Sequence, residues 1–262
     1  MTTNPGAPRK PGEPRRKVID ENAVRFLIGF SAILLPALEI GLACWDGRPL
    51  ESISASYAVE DPPWARNLFV AFNFAIGTFM LAYNGEEKWE SRFAKIGAAA
   101  AYIVALVPGR YAEGKHLISW LPSWTHVAAT LVLFAVLFAF CVIFRRRAGK
   151  KLEDPHKKSR ALKRRWVAYV VYGILMMLAA LLFAGHWYLE KTHTTDVWHL
   201  LLVGETIGLV AFGLAWLTAA KFIFATQRER TCLVAIRKKD GHTDVDFLPS
   251  AETDPAQQQD PS

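Results

Sequence analysis

Residues 145–165 read RRRAGKKLEDPHKKSRALKRR, eleven lysines and arginines against one Glu and one Asp. Apolar stretches at 124–144 and 166–186 flank this run. At about 1.5 Å of rise per residue, each is long enough to cross the ~30 Å hydrocarbon layer of a bilayer. That much positive charge is not translocated cheaply, so the run reads as a cytoplasmic loop that sets the direction of both neighbours.

Working outward, the same alternation of apolar block and polar connection covers most of the chain. Hydrophobic residues make up 52% of the 262 residues and are gathered into blocks, which moves the class from one or two soluble domains to a polytopic membrane protein. The fold class expected is all-α, a helical bundle with six transmembrane helices at about 24–44, 65–83, 93–108, 124–144, 166–186 and 197–224. Both termini are placed in the cytoplasm, with a disordered basic arm over 1–23 and a polar tail over 225–262. In this topology 26 of the 31 basic residues lie on the cytoplasmic side; only Arg48, Arg66, Arg110, Lys115 and Lys191 lie outside. The net charge of +7 is thereby accounted for by its distribution across the membrane, so no nucleic-acid partner is expected and membrane lipids are. Cys44, Cys141 and Cys232 fall too far apart along the bundle to pair, and their spacing matches no zinc or redox pattern.

Ionisable side chains inside the spans cost roughly 2.5–3.5 kcal/mol each, so each needs a partner or a task. Glu39, Asn73, His126, His186, His199 and Glu205 all fall in the outer half of the expected bundle, while the inner half reads as hydrocarbon between flanking charges. An outer-leaflet polar pocket built on Glu39, His126 and Glu205, with Asn73 nearby and Tyr57 and Arg66 of the outer loop as a lid, is one reading. Interhelical hydrogen bonds that merely hold the bundle together are the other. Glu205 lies within Gly204-Glu-Thr-Ile-Gly208, a small-xxx-small spacing that admits a close helix neighbour and offers a face for oligomerisation. A zinc site using His126, His186, His199 and Glu205 is a further alternative, since zinc takes such ligands. No HExxH, Walker, GxSxG or paired-cysteine motif is present.

Ser52-Ile53-Ser54 to Tyr57, Arg66 with Phe69-Val70, Gly77, Phe79 to Gly85, Pro108, His126 with Ala128-Ala129, and Glu205 followed by Phe212-Gly213 and Trp216-Leu217 together resemble an uncharacterised family of bacterial six-helix integral membrane proteins. That family is distantly similar to the DRAM-like six-helix group. The likeness spans about residues 24–224 and departs at Ala58, where members often carry a second Tyr, and near Ala215, where they carry Ser. It implies a bacterial plasma-membrane location and supplies no activity. The function expected is therefore binding of a lipid headgroup or small polar ligand in the outer pocket. The alternatives are a metal-dependent membrane hydrolase, a transporter, or a purely structural membrane protein.

Overall fold

The computed structural model describes residues 20–59, 63–107, 121–122, 124–153, 159–193, 195 and 199–224. The arm before residue 20, the tail from 225, Pro108, Arg110, Lys115 and Cys232 lie outside the described residues. Those described are all helical, in six α-helices: α1 (Glu21–Trp45), α2 (Trp64–Ala82), α3 (Lys88–Leu106), α4 (Trp124–Glu153), α5 (Arg160–Lys191) and α6 (Leu200–Ala219). A short 3-10 turn, Ser54–Ala58, lies in the α1–α2 connection. Five of the six helices are long and apolar enough to cross a membrane, and the chain is a multi-pass helical membrane protein. The sixth, α3, carries Lys88, Glu90, Arg92 and Lys95 in its first turns, so its apolar run is shorter than the others.

Several helix ends differ from the sequence expectation, each for a local reason. The basic run 145–165 is not one loop: α4 continues through it to Glu153, and α5 starts at Arg160. Arg, Lys, Leu, Ala and Glu are good helix formers, and Ser159 caps α5 by accepting a hydrogen bond from the Leu162 N–H at 3.1 Å. At the other extreme α6 is shorter than expected. His199 holds φ 47° and keeps the helix from starting before Leu200; Lys221 at φ 62° ends it. Asp20 caps α1 through its side chain, accepting from the Asn22 N–H, and α1 runs on through Pro36.

Each helix packs on the next in sequence, and α6 closes back onto α1 and also reaches α4, so the bundle is a ring in chain order. In lipid the hydrophobic effect does not bring helices together; close packing and satisfied polar groups do. Helices α1 and α6 approach each other closely at a glycine pair. A Cβ added to Gly29 would stand 2.6 Å from the Gly213 carbonyl oxygen, and one added to Gly213 would stand 2.6 Å from that of Gly29. Below this crossing, Trp216 is fully buried among Tyr83, Phe140, Phe144 and Phe212, with ring centroids 4.9–5.8 Å away. The expected Gly204/Gly208 contact forms within the chain: the ring of Phe183 from α5 sits over Gly204 and that of Phe134 from α4 over Gly208. That face is thus filled from inside the bundle.

Because a backbone carbonyl cannot swing aside as a side chain can, Gly29→Ala forces α1 and α6 apart. It is expected to destabilise the purified protein by about 1–3 kcal/mol. Gly173→Ala in α5, where an added Cβ meets nothing within 4 Å, is expected to be neutral or slightly stabilising. Thermal unfolding of both variants in detergent checks the pair.

Candidate functional site

At the end of the bundle that carries the α1–α2 connection, a surface segment is drawn into the interior by two carboxylates. Glu205 is in the second turn of α6 and 4% exposed. Its Oε2 accepts the backbone N–H of Ile53 at 2.5 Å and of Ser54 at 3.3 Å, and its Oε1 accepts the Ser54 hydroxyl at 2.7 Å. The Ser52 hydroxyl in turn accepts the Ala55 N–H at 2.9 Å, which tightens the turn. One turn further along, the Ser56 hydroxyl donates to Glu39 Oε2 at 2.9 Å, and Glu39 is fully buried in α1 with its Oε1 lacking a hydrogen-bond partner. The turn thus supplies neutral donors to buried acceptors on two helices. The donors to Glu205 are thus Ile53 and Ser54 of the turn.

Tyr57 extends the anchor toward α3. Its hydroxyl donates to the Leu106 carbonyl at 3.2 Å, and its ring meets Phe69 edge-on at 6.3 Å. Burial pushes the Tyr57 phenol above its ordinary range, with the nearby Arg66 guanidinium opposing, so the hydroxyl stays a donor at neutral pH. Arg66 donates through Nε to the Tyr57 carbonyl at 2.8 Å and lies over the Tyr57 ring. The two residues therefore act as a clamp on the turn. His126, in the first turn of α4, stacks on Phe69 and pairs through Nδ1 with the Val107 carbonyl at 2.8 Å. A carbonyl only accepts, so Nδ1 donates this hydrogen bond; Nε2 is buried with no partner.

Beside this cluster is a cavity of about 660 Å³ between α4, α5 and the start of α6. One end is lined by Ser54, Tyr57, His126, His186, Glu190 and Glu205, and the remainder by apolar side chains that reach Phe138 on α4 and Met176 on α5. From His126 to Phe138 is about 18 Å of helix at 1.5 Å per residue, more than the depth of one leaflet of a ~30 Å core. Val127, Leu131, Met177 and Trp187 line the cavity and are also exposed, so it opens along the α4–α5 seam. No Lys or Arg lines it.

Of the residues singled out in the sequence, Tyr57, His126, His186 and Glu205 line this cavity. Glu39 and Arg66 support the turn from behind. Asn73 is buried, but its amide donates to the Phe69 carbonyl one turn back in its own helix at 2.8 Å. His199 is exposed at the start of α6, away from the other three residues of the suggested zinc set. Among the described residues no three His, Cys, Asp or Glu side chains come together as a metal site. What the sequence reading did not single out is the role of Ser54 and Ser56; their Ser-x-Ser spacing opposite two intramembrane glutamates was the available signal.

The opposite end of the bundle, expected to be hydrocarbon between surface charges, holds a buried ion cluster. Glu90 of α3 is fully buried and bonded to Arg147 of α4. Arg147 also pairs with Glu86 at 3.3 Å, and Arg25 of α1 with Glu21 at 3.0 Å and Glu86 at 3.6 Å. Gly85 makes room for this: it holds φ +69°, and a Cβ there would stand 2.8 Å from Glu90.

Comparison with protein-family models, curated proteins and solved structures found no match for this chain.

The Glu205 anchor yields a paired test. Glu205→Leu strands the Ile53 and Ser54 N–H groups in the interior and is expected to cost ~1–3 kcal/mol for each stranded donor. Glu205→Gln keeps an oxygen for both N–H groups and an amide to donate to the Ser54 hydroxyl, so most of the stability is retained. Melting temperatures of the two variants, with susceptibility of the 52–58 turn to limited proteolysis, check this.

Proposed function

We propose that this chain is a membrane protein that binds a single-chain amphiphile, with the headgroup at the Ser54–His126–Glu205 end of the cavity and the acyl chain along the seam between α4 and α5. The observation that carries the reading is the division of one cavity into a polar end and an apolar length. Pure structural hydrogen bonding would account for the Glu205 and Glu39 contacts, but it requires no cavity of about 660 Å³ beside them. The seam is somewhat longer than one leaflet is deep, which suits a chain held parallel to its neighbours in the bilayer.

The polar lining also selects the headgroup. Glu205 and Glu190 offer carboxylate oxygens, His126 and His186 offer imidazole nitrogens, and no Lys or Arg lines the cavity to take a phosphate. A headgroup rich in hydroxyl or amine donors is therefore favoured over an anionic one. In the same reading the end of the bundle that carries 145–165 faces the cytoplasm, by the positive-inside bias, and the binding end faces outward. The resemblance to bacterial six-helix proteins is what favours a bacterial plasma membrane in this reading.

Filling the seam while leaving the anchor alone tests this. Ala180→Trp puts an indole into the apolar part of the cavity and touches none of the Glu205 hydrogen bonds. Mass spectrometry of lipid extracted from the detergent-purified chain is expected to find a stoichiometric amphiphile in the wild type and several-fold less in the variant. Equal amounts in both, at unchanged melting temperature, would sink the proposal.

A further inference from the structure

A second cavity, of about 280 Å³, lies at the opposite end of the bundle, where α1, α4, α5 and α6 meet. Its lining is the reverse of the first. Five cationic side chains, Arg25, Arg147, Lys151, Arg165 and Lys221, face it from four separate segments, against two carboxylates, Glu21 and Glu86. We propose that this cavity binds a phosphate group, presented by an anionic phospholipid headgroup or by free phosphate.

Three features distinguish the cavity from an ordinary solvated basic surface. First, two of the cations are buried in place. The side chains of Arg25 and Arg147 are 10% and 17% exposed, and the Glu21, Glu86 and Glu90 pairs keep both guanidinium groups from turning outward. Second, Arg25, itself nine-tenths buried, keeps a buried Nε with no hydrogen-bond partner, a donor of the kind a phosphate oxygen satisfies. Third, Arg165 is held at the rim by two hydrogen bonds to the Phe224 carbonyl, at 3.2 and 2.9 Å. Its position is thus set by the turn that ends α6. A concave, low-dielectric site with excess positive charge focuses the field on a single anion. It lies at the end of the bundle rather than among the apolar middles of the helices, and basic pockets between helices at such ends hold anionic headgroups.

Titration calorimetry on the full chain in an uncharged detergent tests this, with inorganic phosphate, short-chain phosphatidic acid and short-chain phosphatidylcholine as three separate probes. Saturable binding of phosphatidic acid alone identifies a lipid headgroup as the source; saturable binding of inorganic phosphate as well identifies a site that also takes the free ion. In either case Arg165→Gln is expected to weaken binding about tenfold, as loss of a charge-assisted hydrogen bond does. Lys151→Gln, an exposed rim residue whose loss leaves the ion cluster intact, is expected to weaken it severalfold and serves alone if the Arg165 variant does not fold. No binding of either anionic probe, equal binding of phosphatidylcholine, or affinity unchanged in Lys151→Gln overturns the proposal.

Discussion

A carboxylate inside a bundle in lipid has no water to fall back on, and Glu205 meets that constraint with two backbone N–H groups and a serine hydroxyl from the Ile53–Ser54 segment. Much of this end of the bundle follows from this contact. Bringing the turn down to α6 puts Ser56 within reach of Glu39 and the Tyr57 hydroxyl within reach of Leu106. The Phe69 ring, which Tyr57 meets edge-on, then backs His126. A single surface turn thereby ties α1, α2, α3 and α6 together at one level. It also forms the end wall of the cavity between α4 and α5.

The two ends of the bundle solve the same problem by different chemistry. At the Glu205 end, the glutamate acceptors on α1 and α6 are matched by neutral donors from the turn. At the opposite end, Glu90 is matched by Arg147, and Glu86 and Glu21 by Arg147 and Arg25. Buried ion pairs of this kind are weak evidence for stability, because desolvation offsets much of the attraction. Removing one partner alone, however, leaves an uncompensated charge. The result is a molecule whose cavities at the two ends differ in lining: carboxylate and imidazole groups line one, and five Lys and Arg side chains line the other.

Length and hydropathy made the helical membrane class legible in the sequence, because a span of apolar residues has few other uses. The glutamates and His126 stood out for the same reason: they are costly where they are. What periodicity does not encode is which helices meet, so the ring closure of α6 onto α1 through Gly29 and Gly213 was invisible, and attention fell on Gly204 and Gly208, whose spacing is the more familiar one. The Glu90–Arg147 ion cluster was hidden for a different reason. Glu90 and Arg147 sit among charges that positive-inside bias already explains, and nothing local distinguishes the buried pair from its solvated neighbours. The basic run was read as a loop because its charge marks a membrane boundary, yet charge does not stop a helix, and α4 and α5 continue into it.

The central claim is that the seam between α4 and α5 holds an acyl chain. The most direct measurement is photolabelling of the full chain, in lipid bilayers, with an amphiphile carrying a photoreactive group in its tail, followed by mapping of the labelled residues. The account expects label concentrated at Phe134, Ala135, Phe138 and Met176 and competed away by unlabelled amphiphile. Label spread over exposed apolar residues such as Leu27, Phe30, Ile174 and Leu181, with no enrichment in the seam and no competition, would contradict it.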